Sequence, residues 1–487
     1  MQFLNTEYVT FSNLHLTAAS QLIVLIILLI VVSDCRADPA VEGMIRSDSI
    51  IERLTLEFNG SLPLKVALSG TTHQIELRAS EFESGILPPY RARLWGYNRQ
   101  IPGPVIRIGL GDSLEVTLTN DLAQPTSIHW HGIRVPNSMD GVPGITQQAV
   151  AAGQKFIYRF TPKDPGTFWF HPHIRSAEQV EKGLQGVLIV EDPEEPPYSR
   201  ELVWILDDWL LQPDGTIYDQ FVTRHELAHD GRWGNVMTIN AQYRPSFQVR
   251  PGERIRVRMV NVANGRVFAP TISGVEDRVI AVDGLRVAES FPLANFPLAP
   301  GNRIDLDIVI PKEFAGSSLS ILDTYPGTDN VLGTIAVDAD GFVETPRFAP
   351  PLAHHFPKWL DAEQAPIDHE FLLDAKRGGP YGISWTIDGR AWPEHQSVEL
   401  VSKRFYRLRF KNLTGRLHPM HIHGQFFRLI ARDGQSANEA FWRDTVLVGP
   451  EQSVDVALVP IDNGDWANHC HILEHAEAGM MGVIRVK

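Results

Sequence analysis

The chain has 487 residues, and at about 150 residues per domain this length predicts three domains, each with its own buried core. The formal net charge of −14 argues against nucleic acid or an anionic membrane as a partner, because both repel an acidic surface. Cys35 and Cys470 are the two cysteines, and no internal disulfide is expected between them.

An apolar run from Leu22 to Val32 lies near the start of the chain. It is about half of the roughly 20 residues that span a bilayer, which favours a secretory signal peptide over a transmembrane helix. Residues 1–21 contain Glu7 and no Lys or Arg, whereas signal peptides usually begin with positive charge, so a misassigned start or an uncleaved anchor stays open. We expect residues 1–37 to be a signal peptide or N-terminal anchor, cleaved if at all near Ala37, and the protein to be exported to the periplasm or secreted.

The sequence after this run predicts an all-β protein. Alternating or β-branched runs bounded by Gly, Pro, Asn and Asp favour β-sandwiches over βαβ units. The clearest runs are residues 105–108, 114–118, 255–260 and 303–309. Residues 102–120 and 244–262 also share one order of proline, strand, Gly-acid turn and strand, a weak internal repeat that fits tandem domains.

Two proline-containing segments, 191–197 and 348–357, predict the domain boundaries. They delimit three expected domains, at residues 38–192, 198–347 and 358–487.

The middle domain contains the sequence His225-Glu226-Leu227-Ala228-His229. On a long helix this H-E-x-x-H pattern would hold zinc, with the glutamate as the general base of a protease. Here Asp230-Gly231 follows at once, without the further histidine of the extended protease motif. We therefore predict a loop or short helix with no protease function.

Near the C-terminus the chain reads His469-Cys470-His471. On a strand, His469 and His471 share one face and Cys470 points to the other, so one strand can serve two metal sites. A thiolate, two imidazoles and a weak axial thioether are the ligands of a blue-copper centre. His475 is the nearest imidazole that follows on the cysteine side, and Met480 supplies the thioether.

Other histidines also occur in pairs with one residue between them, and a strand turns both members of such a pair to one face. These pairs are His129 and His131, His171 and His173, and His421 and His423. With His469 and His471 they give eight imidazoles, too many for one metal and enough for a cluster of about three coppers. His418 is left over, and it completes the blue-copper, or type 1, site.

Four motifs, IHWHG (128–132), WFHPH (169–173), HPMHIHG (418–424) and HCHILEHAEAGMM (469–481), resemble those of three-domain multicopper oxidases, the laccase-like family. The resemblance spans roughly residues 90–487 and implies three tandem cupredoxin-like Greek-key β-sandwich domains, with a trinuclear copper cluster between the first and third. It also implies the ligands of each copper: His129 and His421 for type 2, His131, His171 and His471 for one type 3 copper, and His173, His423 and His469 for the other. Cys470 then passes electrons from type 1 copper to both flanking histidines.

Asp140, in the segment NSMDGVPG, resembles the family's acidic residue near type 2 copper, which relays protons to reduced oxygen. A turn residue before Gly141 is the alternative interpretation. Relatives often carry a glutamate where this chain has Ala476, so proton delivery depends on Asp140 or on another acid such as Glu477.

Together these features predict an exported oxidase with about four coppers, one type 1, one type 2 and two type 3. It would take single electrons from phenols or aromatic amines and reduce O2 to water. Cu(I) or Fe(II) is the alternative substrate, although the eight methionines form no Met-rich insert that would suit a dedicated cuprous oxidase. A copper-free structural relative is a further alternative, which the complete ligand set disfavours.

Overall fold

The computed structural model describes residues 50–58, 67–294, 296–325, 327–348, 359–437, 439 and 441–487. The predicted signal peptide or anchor and residues 349–357 of the second predicted boundary lie outside this range. The described residues from 51 onward belong to one compact unit. Within the described residues, no helix has both the length and the apolar character needed to cross a membrane.

The first pair of sheets lies within residues 72–191. Its strands are β1 (Thr72–Ser84), β2 (Ala92–Tyr97), β3 (Val105–Gly109), β4 (Ser113–Asn120), β5 (His129–His131), β6 (Lys155–Phe160), β7 (Gly166–His171) and β8 (Gly186–Glu191). They form sheets of order β2-β1-β4-β6 and β3-β8-β7-β5.

The second pair of sheets lies within residues 200–337. Its strands are β9 (Arg200–Trp209), β10 (Val236–Ile239), β11 (Ser246–Val249), β12 (Arg254–Asn261), β13 (Pro270–Ile272), β14 (Asp277–Val282), β15 (Leu285–Phe291), β16 (Arg303–Val309), β17 (Ser318–Asp323) and β18 (Asn330–Val337). Their orders are β10-β9-β12-β16-β14-β15 and β11-β18-β17-β13.

The third pair lies within residues 369–486. Its strands are β19 (His369–Arg377), β20 (Ile383–Ile387), β21 (Val398–Leu400), β22 (Tyr406–Asn412), β23 (His418–Ile422), β24 (Arg428–Arg432), β25 (Gln435–Ser436), β26 (Thr445–Val448), β27 (Ser453–Leu458), β28 (Gly464–Cys470) and β29 (Met481–Val486). Their orders are β20-β19-β22-β27-β24-β25 and β21-β29-β28-β23-β26.

Helices in the described residues are short. Residues 50–57 are helical, and the other helices are α1 (Ser176–Glu181), α2 (Arg224–Ala228), α3 (Leu473–Glu477) and the 3-10 turns Asn137–Met139, Lys312–Phe314 and Trp359–Gln364. The all-β prediction is confirmed, and the H-E-x-x-H segment is the predicted short helix, α2. The domain limits remain predictions.

Strand β12 shows how the alternating pattern builds the middle sheets. Its apolar residues Ile255, Val257 and Met259 enter the core on one face. Its arginines point to the opposite face, where Arg254 and Arg256 bind Asp307 and Asp305 of the neighbouring β16. Both faces are buried, because ion pairs cover the second face. A buried arginine needs such a partner, since an unpaired buried charge is costly.

Candidate metal centre

Two antiparallel strand pairs carry most of the predicted ligands. In the first pair of sheets, β5 and β7 place His129 opposite His171. In the third pair, β23 and β28 place His421 opposite His469. Histidines two residues apart on one strand share a face, so each strand pair gathers its histidines on one side.

The structure brings all eight paired histidines together between the first and third pairs of sheets. The His129 ring stacks on His423, and the His131 ring stacks on His421, each with ring centroids 3.8 Å apart. Seven of the eight are buried and His173 is half-buried. The members are His129, His131, His171, His173, His421, His423, His469 and His471.

One predicted type 3 set forms a close group of ligand atoms. The Nε2 atom of His469 lies 3.2 Å from Nε2 of His173 and 3.0 Å from Nε2 of His423. The ring centroids of the other predicted type 3 set, His131, His171 and His471, lie 4.9 to 5.9 Å apart. Other close groups mix the sets, for example His129 with His421 and His423, so the assignment of each histidine to a particular copper remains a prediction.

Several of these imidazoles have a buried nitrogen with no hydrogen-bond partner among the described residues. These atoms are Nε2 of His129, His171 and His421, Nδ1 of His131, and both ring nitrogens of His471. Leaving such an atom unpaired costs about 1–3 kcal/mol, so a cluster of them fits a site built to bind metal. The donor set therefore fits copper, for which imidazole is a suitable ligand.

In several of these rings, Nδ1 donates a hydrogen bond to a backbone carbonyl, and this bond fixes the orientation of the ring. Nδ1–H of His129 donates to the Asp140 carbonyl at 2.8 Å, and Nδ1–H of His421 donates to the Asp444 carbonyl at 2.8 Å. A ring that donates from one nitrogen presents a lone pair at the other, which is the form that binds metal. His171 and His469 make equivalent bonds to the carbonyls of Pro172 and Cys470.

Electrostatics also favour neutral imidazoles. Burial, ahead of repulsion from neighbouring histidines, lowers the pKa of six of these imidazoles well below the usual value: His131, His171, His173, His421, His423 and His471. Neutral imidazole is the ligand form, so the cluster is held ready for a cation.

Asp140 connects the two halves of the cluster. Its carbonyl accepts from His129, and its Oδ2 accepts from Nδ1–H of His423 at 2.9 Å. The side chain is fully buried. Asp140 thus orients one ligand from each strand pair, while its predicted role in proton transfer remains a prediction.

The sequence analysis missed Asp444, which contacts the same cluster. Its Oδ1 accepts from Nε2–H of His131 at 3.2 Å, and its carbonyl accepts from His421. Arg303 of the middle sheets donates to both Asp444 carboxylate oxygens, at 2.9 and 2.6 Å, and to the Asp283 carbonyl. The available signal was an acidic residue directly before β26, the strand that pairs with β23. The sequence does not show which strands pair, so this signal could not be used.

On the other face of β28, the cysteine forms a second site. Cys470 Sγ lies 3.6 Å from Nδ1 of His418 and 3.9 Å from Nδ1 of His475, and these two nitrogens are 3.4 Å apart. All three side chains are fully buried. Burial raises the pKa of the Cys470 thiol well above its usual value, so a bound cation is needed to hold the thiolate.

Met480 is also fully buried in the core around Cys470. Its N–H donates to the His475 carbonyl at 2.9 Å, and its carbonyl accepts from the Cys470 N–H at 3.1 Å. Met481 begins β29 and lies opposite His469. These backbone bonds hold the Met480 backbone next to Cys470 and His475, and its role as axial ligand remains a prediction.

Glu477, the weaker proton-relay candidate, makes its hydrogen bonds elsewhere. It accepts from the Tyr381 hydroxyl at 3.1 Å and from the Ala177 N–H at 3.4 Å. These bonds join α3 to α1 and to the third pair of sheets.

Comparison with known proteins decides the family. Sequence models described as multicopper oxidase match residues 83–195, 200–312 and 364–487. The chain belongs to the multicopper oxidase family. It is therefore a copper-dependent oxidoreductase that uses O2 as electron acceptor, as predicted.

Individual relatives agree with this family. Multicopper oxidase MmcO of Mycobacterium tuberculosis is 31% identical, over 79% of this chain and 81% of that protein. Iron transport multicopper oxidase fetC of Epichloe festucae is 27% identical, over 79% of this chain and 72% of that protein. A crystal structure of a multi-copper oxidase from Pseudomonas thermotolerans is similar with a TM-score of 0.77 and 33% identity, covering 86% of this chain and all of that one. The predicted class of tandem cupredoxin-like domains is confirmed.

Proposed function

We propose that this multicopper oxidase binds about four coppers and couples one-electron oxidation of small reductants at the Cys470 site to reduction of O2 at the histidine cluster. The observation that carries the proposal is the division of β28 into two faces. Cys470 faces His418 and His475, while His469 and His471 face the other histidines. Copper held at these ligands would supply a one-electron acceptor at the first site and an O2-reducing centre at the second.

Residues of this chain link the two sites directly. The peptide bonds on either side of Cys470 lead to His469 and His471. Nδ1–H of His469 also donates to the Cys470 carbonyl at 2.8 Å, which adds a hydrogen-bonded route. Cys470 would therefore carry each electron from a metal held at its site toward the two flanking histidines. Asp140 serves as proton relay in this proposal, supported by its hydrogen bond to Nδ1 of His423.

The reductant would enter at a cavity of about 500 Å³ next to the cysteine site. His229 lines this cavity, and its carbonyl accepts from Nε2–H of His475 at 2.9 Å. Tyr218 and Trp233 also line it and offer aromatic surfaces, which supports phenols or aromatic amines as substrates. A second candidate, Fe(II) or Cu(I), is supported by His225 and His229 in the same cavity and by the similarity to fetC, an iron transport multicopper oxidase.

Export is part of the proposal. The apolar run from Leu22 to Val32 supports a signal peptide or N-terminal anchor, with the oxidase acting in the periplasm or outside the cell.

Oxygen uptake by copper-loaded protein tests the proposed function. The panel is a phenol, an aromatic diamine, Fe(II) and Cu(I), with the metal-free protein as the control. We expect uptake with at least one reductant, with close to four electrons consumed per O2 and no uptake without copper. Copper-loaded protein that consumes no O2 with any of them would refute the oxidase and favour the structural relative.

A further inference from the structure

The indole ring of Trp385 covers one side of the cysteine site. Trp385 lies on β20, and its ring centroid is 4.0 Å from that of His475, with an angle of 30° between the two ring planes. At this distance and angle the faces of the two rings are in contact. The indole centroid is also 5.0 Å from that of His418, at an interplanar angle of 70°. One aromatic side chain therefore contacts both imidazoles of the site, and the function derived so far gives it no role.

Backbone hydrogen bonds hold β20 against the turn that follows α3, the helix that carries His475. Trp385 N–H donates to the Ala478 carbonyl at 3.0 Å, and Trp392 N–H donates to the Gly479 carbonyl at 2.9 Å. A Cβ at Gly479 would lie 2.9 Å from the Trp385 carbonyl oxygen, so the turn packs closely on β20. None of these bonds uses the indole, and a variant with another side chain at position 385 keeps them.

The indole contact should be stronger when the site is oxidised. Loss of one electron adds one positive charge to a metal held at the site, and the ligand imidazole of His475 shares that charge. The face of an aromatic ring is negative, and the tryptophan face attracts cations best. The stacked indole therefore stabilises the oxidised state and lowers the potential of the site.

Exclusion of water has the opposite effect on the potential, because an apolar environment disfavours the more highly charged oxidised state. This effect does not depend on the indole. Trp385 is 2% exposed and lies in one hydrophobic cluster with Cys470 and Met480, and both ligand imidazoles are fully buried. Cavities with apolar walls stay dry, so a shorter side chain at position 385 should leave water excluded.

We propose that Trp385 is a positioning residue that sets the potential of the cysteine site: its indole holds the His475 ring and stabilises the oxidised metal through that imidazole. This inference rests on the proposed function, because it requires copper at the cysteine site. Trp385 binds no metal itself. By lowering the potential, it restricts the oxidase to reductants that give up an electron readily.

The test compares the copper-loaded, full-length wild type with the variants Trp385→Phe and Trp385→Leu. Trp204→Leu is the matched control. Trp204 is also fully buried, and its Nε1, like that of Trp385, has no hydrogen-bond partner among the described residues. It packs on Phe247 in the core of the middle sheets, which carry none of the predicted copper ligands. The readouts are redox titration of the blue absorption, copper content, and denaturant unfolding of the metal-free protein.

We expect Trp385→Leu to raise the potential by about tenfold in the one-electron equilibrium constant, which is about 59 mV, while blue absorption and copper content survive. Trp385→Phe keeps a weaker ring face, so its shift should be smaller, about threefold. Trp204→Leu should lose stability to unfolding as Trp385→Leu does, because both leave a cavity in a core. Its potential should equal that of wild type, which separates the effect of the ring face from a loss of packing.

A potential that stays fixed or falls in Trp385→Leu, or that rises equally in Trp204→Leu, would overturn the inference. If Trp385→Leu loses its blue absorption, Trp385→Phe decides: a higher potential supports the inference, and an unchanged one overturns it.

The outcomes also separate this inference from the proposed function. A blue wild type that consumes no O2 with any reductant would refute the oxidase, while the potentials of the variants would still test the role of Trp385. A wild type that shows no blue absorption after copper loading would refute both.

Discussion

At the residue scale, hydrogen bonds from the imidazoles to backbone carbonyls determine which ring nitrogen faces each site. His129 and His421 donate from Nδ1 to backbone carbonyls and leave Nε2 unpaired. At the cysteine site the arrangement is reversed, because His475 donates from Nε2 and turns Nδ1 toward the sulfur. The backbone thus selects which nitrogen serves as ligand at each site.

The axial ligand gives a prediction at this scale. Met480→Leu removes a weakly donating thioether, which should favour the reduced state and raise the type 1 potential while the blue absorption survives. For a one-electron couple, about 59 mV is a tenfold change in the equilibrium constant, so redox titration should resolve a modest shift. The potential is the quantity to measure, since slower onward electron transfer could offset a gain in turnover.

Met481→Leu is the control for that experiment. Met481 is 8% exposed and begins β29, so this nearly volume-conserving change should leave the potential close to wild type. A potential that rises in the Met481 variant and stays fixed in the Met480 variant would show that Met481, and not Met480, is the axial ligand.

The ligands could be predicted from sequence because their pattern is local. Residues two apart on a strand share a face, so the four paired motifs and Cys470 could be recognised in the sequence as candidate ligands, and their binding of copper remains a prediction. The same local pattern does not identify Asp444 and Arg303. Asp444 meets His131 across 313 positions of sequence, and Arg303 meets Asp444 across 141. Only the packing of the sheets brings such residues together.

At the element scale, the turn that precedes β16 reaches the cluster from the middle sheets. Gly301 has φ of +88°, and a Cβ there would lie 2.9 Å from both His131 Cε1 and His471 Cδ2. Its carbonyl accepts from Nη1–H of Arg303. The turn therefore packs against two predicted type 3 ligands while offering none of its own.

Gly301→Ala should displace both imidazoles and reduce type 3 copper, measured by metal analysis. The left-handed backbone adds a cost of about 1–2 kcal/mol in the free energy of unfolding. Gly316→Ala is the matched control, since its φ is +74° and its nearest neighbour would lie 3.6 Å away. Equal copper content in the two variants would show that the turn does not support the cluster.

Much of the strand pattern was also predictable from local sequence. The alternation in residues 255–260 and 303–309 corresponds to β12 and β16. The burial of both faces of β12 was not predictable, because it depends on acidic partners such as Asp305 and Asp307 on a neighbouring strand.

At the scale of the whole molecule, a network of buried charged residues connects the middle sheets to the histidine cluster. Arg303 is fully buried and joins Asp444 of the third pair of sheets to Asp283 of the second. Asp283 in turn accepts from the Asp444 N–H at 3.1 Å. The network links the middle sheets, which carry none of the predicted copper ligands, to residues that orient His131 and His421.

Arg303→Met should therefore destabilise the fold. Removing one partner of a buried ion pair typically costs about 3–5 kcal/mol, because a carboxylate is left buried without its counter-charge. Denaturant unfolding of the metal-free protein measures this loss without a contribution from copper binding.

Arg107→Met is the control for this prediction, because Arg107 forms partly exposed pairs with Glu191 and Glu201. Its loss should cost about 1 kcal/mol or less. Similar stabilities for the two variants would contradict a structural role for the buried network.

The copper content and absorption of Cys470→Ser compared with wild type test the two-site account most directly. Wild type should hold about four coppers per chain and show an intense blue absorption. The variant should lose the blue absorption and about one copper, keep the coppers of the histidine cluster, and cease turnover. A variant that stays blue, or one that loses all its copper while remaining folded, would contradict the division of β28 between two separate sites.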